Sequence, residues 1–398
     1  MSCVPYVRFP HLKLWSRLMP VLPHKNDLRL LRFENDVPDS DGSETYAAQT
    51  DYVTARSLVP HFSSLADGYL RVEPFEVCVF DPSRDWNDKK ILIHRIGGAG
   101  DLLFITPLIH DIKTRWPRCS VFVHCKSMYH WVFHENREVE GCLCSPLTRS
   151  QIDVFDAHIC LEDIIEYNPL AKTKSIIDVY AGAAGIELSS RCLNYAPPEA
   201  IVRRMRERFP LIVCHRIGIS WRSSSPIRDY PQENFLEIIR HLMLAKIQVV
   251  LFGNHFGGIK QVPLFIDTQG VSPKLTWEES TAFMSTCNVI VGPDSSAIHF
   301  AGAMGIPALG IYGSFPSRLR IDMQLTTQAI EATGPCAPCF HHVRHGRDFP
   351  ENGPCLQTGR CEVLASIKPQ QILDRIFDML QQKQEEPSDQ DLARVKVL

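Results

Sequence analysis

RIGGAGDLLFITP, from Arg95 to Pro107, decides how the rest of this chain is read. The apolar run Ile91 to Ile93 leads in and apolar residues at helical spacing lead out, so the pattern predicts a strand, a tight turn and a helix from about Leu102 to Trp116. Glycine has no Cβ to hold a ligand away, and the first amides of a helix lack partners, so such a turn lets the backbone approach a bound group. Asp101 then stands at the mouth of the turn. A dinucleotide fingerprint would need G-x-G-x-x-G and an acid about 20 residues later. The glycines here are Gly97, Gly98 and Gly100, and Ser120 to Cys125 holds no acid, which excludes that reading. A carboxylate at a helix start can simply complement the macrodipole, an effect below ~1 kcal/mol when exposed. The role of Asp101 is therefore decided by other parts of the chain.

Outward from this stretch, strand and helix signals alternate. ILIHRI, SVFVHC, VEGCLC and DVFDAHICL read as strands, with a helix near Ile176 to Gly185, as a parallel sheet with covering helices requires. PPEAIVRRMRERFP is a proline-started, very basic helix. After it the alternation resumes: GISW, helix ENFLEIIRHLMLAK, strand QVVLFG, helix TWEESTAFMST with a Thr276/Glu279 capping box, strand VIVGPD, helix SSAIHFAGAMG, strand ALGIYG and a last helix KPQQILDRIFDMLQQKQ. Before residue 89 the text is irregular, with DVPDSDGSE as an exposed loop and YLRVE and FEVCVFD as strand-like runs of a small β unit. The expected domains are a β-rich extension over 1–88, an α/β domain over 89–205, a second over 206–372 that includes a cysteine finger at 334–362, and a helix and tail over 373–398.

The second informative stretch is VIVGPDSSAIHFAGAMGIPALGIYG, Val289 to Gly313. A buried strand ends at Gly292-Pro293, and Asp294, Ser295 and Ser296 fall where a helix begins, its free amides and two hydroxyls forming an anion site. His299, one turn in, faces the same side. Alone, Asp294 is read as an N-cap and His299 as a histidine on a helix face; paired with the Asp101 turn, the two motifs describe two open α/β sheets with ligands at their carboxyl ends.

Composition narrows the class. A chain of 398 residues accommodates two domains and an extension, and a net charge of -3 gives no electrostatic case for a nucleic acid or an anionic membrane as partner. MSCVPYVRFPHLKLWSRLMP lacks the apolar core of an export signal, and no run of ~18 apolar residues exists to span a bilayer. A cytoplasmic protein is expected. Of the 14 cysteines, Cys78, Cys125, Cys160 and Cys214 lie in or beside apolar runs and read as small core residues. Cys336-x2-Cys339 and Cys355-x5-Cys361 are different: two pairs across a short loop can complete a tetrahedron around zinc or iron, with His341, His342 and His345 inside the loop as substitutes for one ligand. Disulfides are the rival, disfavoured in a reducing compartment. The only D-x-D pairs weighed as catalytic cation sites, Asp39/Asp41 and Asp389/Asp391, lie in polar segments far from both motifs, so no catalytic divalent cation is expected.

Both motifs together resemble glycosyltransferase family 9, the heptosyltransferases. That family's R-x-G-x-x-G-D followed by T-P is matched by Arg95, Gly97, Gly100 and Asp101 with Thr106 and Pro107; its D-[ST]-x-x-x-H-x-A-x-A-x-G-x-P is matched by Asp294, Ser295, His299, Ala301, Ala303, Gly305 and Pro307. The resemblance implies a GT-B α/β fold, two Rossmann-like doubly wound domains facing across a cleft. It also implies transfer of heptose from ADP-heptose with inversion, Asp101 serving as the base. The donor-side residues it implies are Gly98, Gly100, Thr106, Arg222, Ser223, Arg228, Asp294, Ser295, Ser296 and His299. Family members familiar from this motif carry lysine where this chain offers Arg222 or Arg228, two residues that are not interchangeable with it. The extension and the finger narrow the resemblance to the bacterial autotransporter heptosyltransferases. From that group follow a small barrel-like extension that engages a protein acceptor, the adhesin passenger domain modified on serine; iron, alternatively zinc, on Cys336, Cys339, Cys355 and Cys361; and a large homo-oligomer, a dodecamer. A lipopolysaccharide-core heptosyltransferase shares the donor chemistry and is the alternative; a non-catalytic nucleotide-sugar binding protein is a third.

Overall fold

Parallel strands that are apolar on both sides must be covered on both faces, and the runs RIGIS, QVVLF, VIVGP and ALGIY are buried at every residue. The computed structural model describes residues 28–33, 35–38, 45–55, 70–253, 261–340 and 360–385, with Val59, Ser63, Leu65, Ala66, Ile259 and Cys355. It divides into two compact units, residues 1–191 and 192–398.

In the second unit six parallel strands run in the order Phe265–Asp267, Gln248–Phe252, Arg216–Ser220, Val289–Pro293, Ala308–Tyr312, Thr327–Glu331. In chain order this is 3-2-1-4-5-6, with the switch between Arg216–Ser220 and Val289–Pro293. Helix Gln232–Leu244 buries Phe235, Ile238, Ile239 and Leu242, one stripe at helical spacing, in the same core as Ile372, Leu373, Ile376, Met379 and Leu380 of the terminal helix Pro369–Glu385. The opposite face is covered by Trp277–Met284, Ser296–Ala303 and the basic helix Glu199–Arg208, which buries Val202 and Met205 and pairs Arg204 with Glu279 at 2.7 Å. The Thr276/Glu279 capping box is present.

In the first unit four parallel strands run Ala157–Cys160, Lys90–His94, Ser120–Cys125, Gly141–Cys144. The β-rich extension adds an antiparallel sheet, Leu70–Pro74, Leu28–Phe33, Asp51–Ala55, Leu147–Thr148, whose last strand comes from the α/β part. Leu28, Val53, Leu92, Leu147 and Cys160 share one core, so extension and sheet pack as one body. Among the described residues this sheet is open-ended, and the expected barrel is not shown. Residues 1–27 and most of the DVPDSDGSE loop lie outside the described residues.

Several expectations are corrected. FEVCVFD forms only a single bridge, Val79 to His158. DVFD is not strand: Thr148 and Gln151 make a reciprocal capping box that starts helix Arg149–Ile152, and the strand begins at Ala157. The helix expected from Leu102 to Trp116 is two, Ala99–Leu103 and Thr106–Arg115. Pro107 has no amide to continue the first, and Thr106 Oγ1 donates to the Leu103 carbonyl at 2.8 Å. Strands Leu28–Phe33 and Asp51–Ala55 occupy text read as irregular.

Candidate active site

In the first unit the decisive turn is built around a buried cation. Arg95 follows strand Lys90–His94 and is fully buried. Its Nη2 lies 2.9 Å from Glu166 Oε1 and 3.1 Å from Asp101 Oδ2, and its Nη1 lies 3.9 Å from Glu162 Oε2. Three carboxylates from two segments thus share one guanidinium, which they hold well above its usual proton affinity despite the opposing effect of burial. Gly98 is the N-cap of helix Ala99–Leu103, Gly100 lies within it, and the Gly98 amide donates to Asp101 Oδ2 at 3.0 Å. Gly97 is required by space: a Cβ there would lie 2.7 Å from Asp101 Oδ2 and 2.8 Å from Arg95 Nε. Tyr180, with its ring 5.8 Å from the Arg95 guanidinium carbon, is buried, and burial pushes its hydroxyl well above the usual value. Thr106 is fully buried at the helix junction.

In the same sheet three buried histidines stand in a row on adjacent strands. His94 Nδ1 is 3.0 Å from His124 Nδ1, and His94 Nε2 is 3.0 Å from His158 Nδ1. Burial lowers all three: His124 to about 3, His158 to about 4, and His94 well below the ordinary range, where its two neighbours add to the effect.

In the second unit Ser295 is the N-cap of helix Ser296–Ala303, with Asp294 just before it. Asp294 is buried, yet its carboxyl lies well below the usual range. Burial would raise it, but the hydrogen bond from His299 and the charges of Arg228 and Arg320 outweigh burial. His299 Nε2 is 3.4 Å from Oδ1; Arg228 Nη1 and Arg320 Nε are 3.4 and 3.6 Å from Oδ2. Arg228 also donates to the Asp294 carbonyl at 3.0 Å and to Ser224 Oγ at 2.8 Å. Of the two candidate arginines, Arg228 is therefore the one at the helix start. Arg222 lies 4.3 Å from the Trp221 ring centre. Ser223 is engaged within its loop, donating to the Ser225 carbonyl and to Asp229. Ser225 Oγ, Ser295 Oγ, Arg228 Nε and Tyr312 Oη are buried without a hydrogen-bond partner among the described residues, which leaves them available to a ligand.

Sequence reasoning missed Glu162, Glu166 and Arg320. Each follows the carboxyl end of a parallel strand, Ala157–Cys160 or Ala308–Tyr312, and that position was the available signal.

At the finger, burial and then the neighbouring Cys361, Cys336 and Cys339 push the Cys355 thiol up to about 11. Four sulfurs are a soft donor set. Among the described residues no group of three or more His, Cys, Asp or Glu is arranged closely enough to hold an ion. His341, His342 and His345 lie outside them, as do Asp39/Asp41 and Asp389/Asp391. No helix among the described residues is long and apolar enough to cross a membrane.

A parallel sheet in 3-2-1-4-5-6 order, with a cationic helix start at its carboxyl end, defines a doubly wound α/β unit. Residues 198–346, within that unit, match the model of glycosyltransferase family 9 (heptosyltransferase). The chain is 23% identical to lipopolysaccharide heptosyltransferase 2 of Salmonella typhimurium over 167 residues, 40% of this chain and 44% of that protein, so it spans less than half the length of that relative. Its fold is similar to that of the glycosyl transferase family 9 protein from Veillonella parvula, with TM-score 0.59 and 14% identity over 75% of this chain and 99% of that one. It is also similar to the iron-containing dodecameric glycosyltransferase TibC from enterotoxigenic E. coli, with TM-score 0.53 and 13% identity over 91% of this chain and 93% of that one. Likeness at such identity establishes a shared α/β fold and nothing more.

Proposed function

We propose that this chain is an inverting heptosyltransferase that moves heptose from ADP-heptose to serine hydroxyls of an autotransporter adhesin passenger domain. The observation that carries it is the Asp294–Arg228–Arg320 group at the start of helix Ser296–Ala303, inside the family 9 match. Two guanidiniums against one carboxylate leave net positive charge where helix amides are free, which suits a diphosphate. In the transfer, the acceptor oxygen bonds to the anomeric carbon as the bond from that carbon to the diphosphate oxygen breaks. Asp101 takes the hydroxyl proton, a step worth roughly 10² to 10⁴ in rate. Arg228, Arg320 and the amides of Ser295 and Ser296 stabilise the charge that develops on departing ADP. Gly98 and Gly100 let the backbone of the first unit come close to the reacting groups. No step draws on a catalytic divalent cation.

A dodecameric assembly and iron are supported by the likeness to TibC over 91% of this chain, and the protein acceptor by the resemblance of the extension and finger to the autotransporter heptosyltransferases. Cys336, Cys339, Cys355 and Cys361 would hold the iron, alternatively zinc, as a structural metal. A lipopolysaccharide-core acceptor is the second reading, supported by the Salmonella relative. With a cytoplasmic donor of this kind, we place the protein in the bacterial cytoplasm.

The test is the intact mass of a passenger fragment incubated with the protein and ADP-heptose. Increments of one heptose on serine are expected, and they vanish in Asp101→Asn. Transfer to lipopolysaccharide core with an unmodified passenger fragment replaces the acceptor, and no turnover of ADP-heptose with either overturns the reading.

A further inference from the structure

Asp101 does not hold its cation alone. The same Arg95 nitrogen that reaches Asp101 Oδ2 at 3.1 Å is closer to Glu166 Oε1, at 2.9 Å, and Nη1 reaches Glu166 Oε2 at 3.4 Å. Glu166 thus takes Arg95 in a two-pronged grip, whereas Asp101 meets one shared nitrogen. A fork of this kind is the stronger arrangement. Arg95 itself cannot move to favour either acid: it is fully buried, faces Tyr180, and points Nη1 at the Leu161 carbonyl at 3.5 Å. Glu162 is anchored separately, accepting the Ile96 amide at 2.7 Å. Gly97 supplies the room that lets Asp101 and Arg95 meet.

We propose that Arg95 is the positioning residue for Asp101, and that Glu166, bound to the same guanidinium nitrogen, sets how tightly Asp101 holds a proton. One guanidinium given wholly to Asp101 would make it a poor proton acceptor, since an opposite charge within 4–6 Å lowers a carboxylate by about 1–3 pH units. Glu166 opposes that in two ways: it draws hydrogen bonding away from Asp101 and adds a like charge beside it. The other groups that face Asp101 act in the same field. They are Glu162 ahead of helix Ile164–Tyr167 and Tyr180 on helix Ile176–Ala184; the 3-10 helix Ser127–Phe133 also packs on the Asp101 helix. None of these shares the nitrogen that Asp101 uses, so Glu166 is the residue whose removal reads out the competition.

The purpose assigned to this tuning rests on Asp101 being the base; the tuning itself does not, and the experiment separates them. The full chain is labelled with 13C at the aspartate carboxyls, the Asp101 resonance is assigned by its loss in Asp101→Asn, and its shift is followed against pH. In Glu166→Gln, which keeps shape and removes charge, the titration midpoint falls by about one pH unit; in Arg95→Lys, which keeps charge and loses the fork, it rises by a similar amount. The acid limb of the pH–rate profile for heptose transfer moves down with the Glu166→Gln midpoint. A folded Glu166→Gln protein, checked by circular dichroism, whose Asp101 midpoint is unmoved overturns the proposal, and this variant decides the matter even where Arg95→Lys fails to fold. If Asp101→Asn transfers heptose at the native rate, the base reading falls while the titration still decides the role of Arg95 and Glu166.

Discussion

Mild acid should destabilise the first unit through the row His124–His94–His158. An unfolded histidine titrates near 6.5, whereas burial holds His124 at about 3 and His158 at about 4 in the folded chain. Because the folded values are the lower ones, the unfolded chain binds protons first as pH falls. The stabilisation is therefore complete above the unfolded value and is lost as pH drops from 6.5 towards the folded values. Within that window each of the two histidines approaches a loss of about 1.4 kcal/mol per pH unit, half that at pH 6.5 itself, so the pair removes roughly 3 kcal/mol between pH 6.5 and pH 5. His94, lowered by burial and by its two neighbours, adds in the same direction. That is a large part of the 5 to 15 kcal/mol that holds an ordinary domain together. The assay is urea unfolding at pH 7, 6 and 5, followed by the fluorescence of Trp86, Trp116 and Trp131, all buried in this unit, in a chain with Trp15→Phe, Trp221→Phe and Trp277→Phe. His124→Gln, which cannot titrate, should lose distinctly less stability over the same span. An unfolding free energy that is flat between pH 7 and pH 5 in the chain with all three histidines would refute the reasoning.

Gly97→Ala should leave a folded protein that transfers heptose roughly 10² times more slowly, because the added Cβ, 2.7 Å from Asp101 Oδ2, must push aside the acid rather than the fully buried Arg95; unchanged kcat at saturating donor refutes this. Arg320→Gln should weaken ADP about 10- to 100-fold, the loss expected for one charge-assisted hydrogen bond, and an unchanged calorimetric Kd would remove Arg320 from the donor site. Cys339→Ser should release one metal per chain and lower the melting temperature, because metal-binding energy at such a site is also folding energy; elemental analysis that finds neither iron nor zinc in the native chain sinks the finger as a metal site.

What the sequence displayed and what it concealed divide along a physical line. Gly97 to Asp101 and Asp294 to His299 were legible because strand, turn and helix are written in adjacent residues, and backbone geometry alone places their side chains at a helix start. The missed partners were not, because tertiary structure delivers them: Glu166 reaches Arg95 across 71 positions, and Arg320 reaches Asp294 from helix Arg318–Ile321, beyond the next strand. Local signals were also overruled where two competed. The apolar period from Leu102 onward continues through Ile105, yet Pro107 ends one helix and begins another. LRLLRF carries arginines at Arg29 and Arg32 inside an apolar run, and it becomes a strand because Asp51–Ala55 pairs with it and Asp51 accepts from Arg32.

The charge balance around Asp101 and Asp294 supports the proposed chemistry more than either motif does. Around Asp101 one guanidinium serves three carboxylates, so the group is short of positive charge and able to accept a proton. Around Asp294 two guanidiniums and a histidine serve one carboxylate, so that group is short of negative charge and able to receive an anion. A transfer that takes a proton from an acceptor and releases a nucleoside diphosphate needs one site of each kind. A plain nucleotide sensor needs only the second, and the crowding of Asp101, Glu162 and Glu166 on one buried arginine, which costs stability unless something is gained, would have no purpose in it.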